Sequence, residues 1–542
     1  MLALLLTATL QPVAVAPAPT APAPDELWRI WQEERVVATP APCLRHAELI
    51  AQLEKLAARF PGEARLEEVG RSFEDRSIHL LTVGHGPRKV FLWSQMHGDE
   101  PSATPALLDL AAYLLAHRDE PLAEMILGEL TLLIVPMLNP DGSEIYERRN
   151  AQWIDVNRDA LNLATPEGRL LKRLRDEHEP ILGFNLHDQN RRTAVGETGR
   201  LATNAVLAVA GDPEGTVTPG RLRAKRACAA IVAALAPLVP GGMARYDEDW
   251  SPRAFGDNLT AWGTPVVLIE SGGLPPGGSF TDLSGLNFVA LLTALTDLAR
   301  DDLAGHDPEL YENLERNRRG VWADVVIRGG RVLQPASGQS YRADLAFNRF
   351  RDDRAVAGCD PGTGEGSRIV EVGDARFLTG GEEIDASEGL LIAALQVGIE
   401  GWSARNWLTA ETLTAFARRG VGELVWEVPR GRLAAAQALS ASLARPGSPR
   451  RPLLVPVARP AELPVLRATA PPDGPVPETW REVLAGLGGP RPLSDLWRGA
   501  GSALRPGRPA SLILLAPWSD DEAQAASTRI HSVWLGGVRI ER

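Results

Sequence analysis

The chain has 542 residues, 44% of them hydrophobic, which is more than a single core usually organises, so two or three domains are expected. A formal net charge of −12 and a pI near 5.4 argue against a nucleic-acid partner, whose phosphates need clustered Lys and Arg. Cys43, Cys228 and Cys359 are far apart and offer neither a disulfide framework nor a Cys-x-x-Cys metal pair, so any metal must be held by His and carboxylates.

The chain opens with "MLALLLTATLQPVAVAPAPTAPAP". An apolar stretch followed by small residues with A-x-A choices reads as a signal peptide with an Ala-Pro tract over residues 1–24, although no basic residue precedes it. Export to the periplasm or the medium is the expectation. The stretch is short for a bilayer core of ~30 Å, and no later segment has eighteen uninterrupted apolar residues, so no membrane span is expected in the mature chain.

Residues 25–318 alternate strand-like apolar runs with amphipathic helical stretches, the pattern of an α/β layer fold. The runs are "SIHLLTVG" (77–84), "KVFLWSQ" (89–95), "LTLLIVPML" (130–138), "ILGFNLH" (181–187), "NAVLAVAG" (204–211) and "TPVVLIES" (264–271). "TPALLDLAAYLLAHR" spaces Ala106, Leu107, Leu110, Ala111, Leu114 and Leu115 as one helix face, with Thr104 expected at the N-cap. "TPEGRLLKRLRDEHEP" opens on Thr165, Pro166 and Glu167, a helix start, and puts Leu170, Leu171 and Leu174 on one side. Residues 319–542 change texture to short strands and Gly-rich turns, interrupted by a Pro- and Ala-rich tract, and form a separate domain with a reduced α/β insertion over about 400–500.

Chemistry-bearing residues gather at the ends of these runs. His97 and Glu100 follow the apolar run 90–93, His187 ends the run 181–186 and Glu270 ends the run 265–269. In open α/β sheets ligands bind just beyond the carboxyl ends of the strands, so topology draws these four together. Two histidines and one carboxylate leave an open coordination position, as in catalytic zinc sites, and a further carboxylate is left for general-base work. Taken singly, His187 could be a satisfied edge histidine and Glu270 a turn carboxylate; their joint placement is what points to a site. No G-x-S-x-G elbow is present, which disfavours serine catalysis.

Motif order then adds a resemblance. "VGRSFEDRSIHLLTVG", H-x-x-E, N-P-D-G at 139–142, D-V-N-R at 155–158, a histidine at a strand end and a late glutamate together resemble the zinc carboxypeptidase family, the carboxypeptidase A-like metallopeptidases, over residues ~60–290. The resemblance implies a zinc-carboxypeptidase-like mixed sheet flanked by helices. It also implies one Zn2+ per chain held by His97, Glu100 and His187, with Asp155 accepting a hydrogen bond from His97. Asn157 and Arg158 would grip the substrate's free terminal carboxylate, Arg148 would stabilise the oxyanion (with Arg149 adjacent in the sequence), Tyr246 would face the substrate, and Glu270 would activate the attacking water. The implied substrate is a peptide, a cell-wall peptide or an acyl-amino acid with a free carboxylate. A non-catalytic binding protein is the alternative of a different class, and an N-acyl amino-acid deacylase the neighbouring one.

The chain departs from the family pattern in the 90-residue interval between His97 and His187, in Asp159 after Arg158, and in "HDQN" after the third ligand. In the C-terminal domain, "WADVVIRGGRVLQPASG", "GEEIDASEGLLIAALQVG" and the last 35 or so residues resemble the small β-sandwich that flanks the barrel of amidohydrolases. That family's H-x-H metal pair is replaced by Ala394, Leu395, Gln396 and Val397, so a metal-free accessory domain is expected.

Overall fold

A computed structural model describes residues 18–247, 250–275, 278–333, 340–350, 366–385, 390–393, 423–428, 453–458, 512–516, 529–535 and 538–540. The chain divides into two compact units, Met1–Arg191 with Ala202–Asn317, and Arg192–Leu201 with Arg318–Arg542.

The first unit is built on a mixed sheet of eight strands. They are β1 (Ala64–Arg71), β2 (Ser77–Val83), β3 (Arg88–Ser94), β4 (Leu130–Val135), β5 (Leu182–Asp188), β7 (Asn204–Ala208), β8 (Met243–Arg245) and β9 (Val266–Ser271), with β6 (Ala194–Val195) lying in the excursion that belongs to the second unit. The spatial order is β1-β2-β4-β3-β5-β9-β7-β8. Strands β4, β3, β5 and β9 run parallel, whereas β1, β2 and β7 are antiparallel to their inner neighbours. Each apolar run of the sequence became one of these strands.

Because strand side chains alternate between faces, each apolar run supplies two layers. Val90 and Leu92 of β3 join one core with Leu132, Ile134, Phe184, Leu186, Val267 and Ile269. Helices α1 (Pro24–Glu34), α2 (His46–Arg59), α3 (Ala103–Ala116), α4 (Pro121–Glu129), α7 (Pro219–Leu235) and α9 (Phe280–Ala299) cover that face. Phe91 and Trp93 join the opposite core with Leu133, Val135, Leu268 and the apolar sides of α6 (Pro166–His178) and α8 (Phe255–Ala261). Helix α9 is long and apolar enough to cross a membrane by length and composition, but it is buried in the protein core.

The caps differ in one respect from the sequence reading. Thr165 caps α6 as expected, accepting from Gly168 N at 2.9 Å. Thr104, expected to cap α3, lies inside the helix, which begins after Ser102. Its single hydroxyl hydrogen is instead shared between Gln95 Oε1 and Pro136 O, both at 2.8 Å, so the long-range partners of a fully buried threonine outweigh its local preference for a cap.

The second unit is β-rich. Strands β11 (Trp322–Leu333), β12 (Ser340–Phe350), β13 (Gly366–Gly373), β14 (Thr379–Asp385) and β15 (Leu390–Ala393) share a sheet with β18 (Leu512–Ala516), β19 (Arg529–Leu535) and β20 (Val538–Ile540). Both ends of the C-terminal segment thus contribute to one accessory sheet, around a small core of Ala323, Val326, Ala346, Ala375 and Leu378. In the expected insertion, β16 (Glu423–Val428) and β17 (Leu453–Ala458) pair in parallel. The rest of that insertion, the leader at 1–17 and Ala394–Val397 lie outside the described residues.

Candidate metal centre

The turn after β3 is shaped before any ligand is placed. Gln95 adopts a left-handed backbone with φ 46°, and its side chain bonds Gly98 O at 3.2 Å and Ser143 Oγ at 2.9 Å. A Cβ on Gly98 would sit 2.0 Å from the carbonyl carbon of Gly142, so the H-x-x-E turn and the N-P-D-G turn require glycine where they meet. Asn139 caps the short helix α5 (Pro140–Ile145) by accepting from Gly142 N at 2.9 Å. Asp141 accepts from Ser72 Oγ at 2.6 Å, Glu74 N at 2.9 Å and Arg76 Nη1 at 2.6 Å. The segment "GRSFEDR" is therefore clamped onto N-P-D-G, which gives the motif order a physical basis.

His97, Glu100 and His187 converge, and each is at least 93% buried. His97 Nδ1 lies 2.8 Å from Glu100 Oε1, His187 Nδ1 lies 2.6 Å from Glu100 Oε2, and the two Nδ1 atoms are 3.1 Å apart. His97 Nε2 is 3.0 Å from Asp155 Oδ1. A proton donated there leaves Nδ1 with its lone pair aimed at the other two groups. Lone pairs so close repel unless a proton or a cation lies between them. Tetrahedral zinc with bonds of about 2.0–2.1 Å needs ligand atoms roughly 3.3 Å apart, so this donor set fits a zinc ion with small adjustments.

The charges are consistent with that convergence. Burial disfavours charge on Glu100, yet the two imidazoles hold its carboxyl well below the usual carboxylate range. Burial lowers His187, while at His97 the Glu100 and Asp155 carboxylates overcome burial and raise the imidazole. Asp155 is held far below its ordinary value by His97, Arg148 and Arg158 despite burial. Nearby, burial and the Glu100 charge raise Asp99 to about 6. Asp188 rises to about 7, again through burial, against the bonds it accepts from Ser102.

Arg148 donates from Nε to Asp155 Oδ2 at 3.1 Å and from Nη1 to Glu100 Oε1 at 2.8 Å. Its neighbour Arg149 is turned outward and bonds Trp153 O, so Arg148 is the arginine that reaches the centre. Asn157 spends its side-chain oxygen on Phe255 N at 2.9 Å, leaving its NH2 group as the end available to a ligand. Arg158 bonds only the Asn157 carbonyl, at 2.8 Å, and pairs with no carboxylate among the described residues. Asp159 is structural: it accepts from Ala164 N, Thr165 N and Thr165 Oγ1 at the start of α6.

Glu270 is buried on β9 directly opposite His187 of β5 in the parallel register. Tyr246 follows β8, and its half-buried ring packs on the apolar cluster that includes Leu207, Val209 and Phe255. Sequence reasoning missed Ser102, Ser271 and Asn287, which bond one another behind the centre. Serine and asparagine carry no spacing signal that could have singled them out.

Residues 49–179 match the zinc carboxypeptidase family model, a stretch that contains His97, Glu100, Arg148, Asp155, Asn157 and Arg158 and ends before His187. Carboxypeptidase SOL1 of Arabidopsis thaliana is 34% identical over 125 residues, covering 20% of this chain and 26% of that protein. Carboxypeptidase Z of Homo sapiens is 28% identical over 159 residues, covering 25% of this chain and 24% of that protein. The chain thus spans about a quarter of the length of these curated relatives. Among solved structures, a metallo-carboxypeptidase from Burkholderia cenocepacia aligns with TM-score 0.40 at 20% identity, covering 47% of this chain and 69% of that one. Carboxypeptidase A from Helicoverpa armigera aligns with TM-score 0.37 at 17% identity, covering 52% and 78%. The motif-based resemblance to the zinc carboxypeptidases is shown by the family match over residues 49–179 and by these curated relatives.

Proposed function

We propose that the first unit is a zinc-dependent metallocarboxypeptidase that hydrolyses the C-terminal amide bond of a peptide or cell-wall peptide, with one zinc per chain. The observation that carries this reading is the convergence of His97, Glu100 and His187 with Glu270 in register beside them. The leader-like N terminus supports an exported enzyme.

Zinc held by these three residues would polarise the scissile carbonyl and lower the pKa of water to about 7. Arg158, which forms no ion pair with a carboxylate among the described residues, and the NH2 group of Asn157 are suited to hold the substrate's terminal carboxylate, the arginine through two parallel N–H bonds. Arg148 lies against Glu100 and can turn one N–H toward the negative charge that grows on the carbonyl oxygen. Glu270 takes a proton from the attacking water as the C–O bond forms, then gives it to the amine as the C–N bond breaks.

Paired substrates test the proposal. A peptide with a free terminus should be hydrolysed, and its amidated twin should lose about 2–5 kcal/mol of transition-state binding because Arg158 is left unpaired. Glu270→Gln should keep zinc and lose at least about 100-fold in kcat. Equal hydrolysis of both substrates would overturn the carboxypeptidase reading, and a fully active Glu270→Gln enzyme would remove that residue from the mechanism.

A further inference from the structure

The strand ends that carry the metal centre also carry a second polar layer, buried except at Asp188, which is partly exposed. Asp188 is the register partner of Ser271 across β5–β9, as His187 is of Glu270. Because neighbouring residues alternate, His187 and Glu270 share one face of the sheet while Asp188 and Ser271 share the other. On that other face the side chains are tied together. Ser102 donates from its backbone N to Asp188 Oδ2 at 3.1 Å, and its hydroxyl donates to Asp188 Oδ1. Asn287 of α9 donates from Nδ2 to Ser271 Oγ at 2.8 Å and to Leu283 O at 3.0 Å, and one of these two hydrogens is shared with Ser102 Oγ at 3.4 Å. Ser284, one turn earlier on α9, donates to Ser102 O at 2.7 Å.

The arrangement has three features that simple helix packing does not require. Ser102, Ser271, Ser284 and Asn287 are all at most 2% exposed, beside a predominantly apolar helix layer. Desolvating that many polar groups costs free energy that an apolar set of the same volume would not incur. Second, Ser102 precedes α3 but does not use its hydroxyl as a cap; the group is committed to Asp188. Third, every member but those on α9 adjoins a residue of the centre: Ser102 lies two residues after Glu100, Asp188 follows His187, and Ser271 follows Glu270.

We propose that Asn287 and Ser102 form a positioning frame that sets where the ligand-bearing turn 97–102 stands relative to the strand ends carrying His187 and Glu270. None of these residues touches the reacting atoms. The Ser102–Asp188 bond ties the turn of His97 and Glu100 to the end of β5, and so acts on metal affinity. The Asn287–Ser271 bond fixes the end of β9, and so acts on Glu270; this second arm rests on the catalytic role proposed for that residue. Asn287 belongs to both arms.

The test separates them. Zinc Kd, measured by chelator competition on the full chain, should weaken about tenfold in Ser102→Ala and in Asn287→Leu, the size expected when a group orienting a ligand is removed, and stay within twofold in Ser271→Ala. In zinc-saturated enzyme, kcat should fall about tenfold in Ser271→Ala and Asn287→Leu at nearly constant KM, and Ser271→Thr, which keeps the hydroxyl, should restore it. The Ser271→Ala/Asn287→Leu double variant should be no slower than the worse single variant, because one bond is being removed. If Asn287→Leu does not fold, the two serine variants report the two arms separately. Zinc affinity within twofold of the parent in Ser102→Ala overturns the first arm whatever the activity. Losses of thermal stability with unchanged kcat, or strictly additive losses, overturn the second. A parent protein inactive on every peptide would refute the catalytic reading and the second arm with it, while the zinc measurements would still decide the first.

Discussion

Replacing Asp155 with Asn keeps the shape of the residue that orients His97 and removes its charge. In the parent, Oδ1 accepts from His97 Nε2 and from Asn157 N, both at 3.0 Å, and Oδ2 accepts from Arg148 Nε at 3.1 Å. Three donors therefore converge on two oxygens. The amide of Asn has one oxygen and one NH2 group, so no orientation serves all three. With its oxygen toward His97, the NH2 group opposes the Arg148 N–H; flipped, it opposes both His97 and Asn157. At least one hydrogen bond to a charged group is lost, worth about 1.5–3 kcal/mol. In the flipped form His97 is also driven toward the tautomer that places a hydrogen on Nδ1, the atom facing Glu100. Zinc affinity should fall by about 10- to 100-fold, in line with the usual cost of removing a partner behind a metal-bound histidine. Chelator competition with a zinc-sensitive dye measures this directly. A Kd within twofold of the parent would refute the claim that Asp155 sets the His97 tautomer.

Other outcomes follow from the same contacts. His187→Ala should reduce bound zinc to a small fraction of the parent's occupancy by elemental analysis, and unchanged occupancy would remove His187 from the ligand set. His117 bonds Glu34 at 2.6 Å and Glu120 at 2.7 Å, and these carboxylates raise its pKa against the opposing effect of burial. Its contribution is therefore complete below the unfolded value of about 6.5 and disappears as pH rises through the folded pKa. His117→Gln should destabilise the protein more at about pH 5.5 than at about pH 9, by no more than roughly 1 kcal/mol for so exposed a pair; equal losses in urea melts at both pH values would contradict this. Asn139→Ala should cost about 1–2 kcal/mol, because it removes the cap of α5 and the link to Met96 O, and an unchanged urea midpoint would show that the N-P-D-G turn does not depend on it.

Much of this architecture was determined by local sequence. The runs that form β2, β3, β4, β5, β7 and β9 are apolar on both faces because helices cover both sides of the sheet, and such runs stand out from their surroundings. His97, Glu100, His187 and Glu270 were legible for a related reason: each polar group interrupts or ends an apolar run, and the topology of parallel strands collects those ends. Strand β1 was not legible. It lies at the sheet edge, is mostly half-exposed, and reads "ARLEEVGR", so no apolar periodicity marks it; its place depends on pairing with β2. Tertiary structure also selected Arg148 over Arg149, since the two are equivalent in sequence and differ only in which one the turn directs at Glu100 and Asp155. It placed Thr104 inside a helix and assembled Ser102, Ser271 and Asn287 behind the centre. Short polar side chains have weak local preferences, and their partners lie up to 185 residues away, so only the closed packing of the sheet against α9 could decide what they bind.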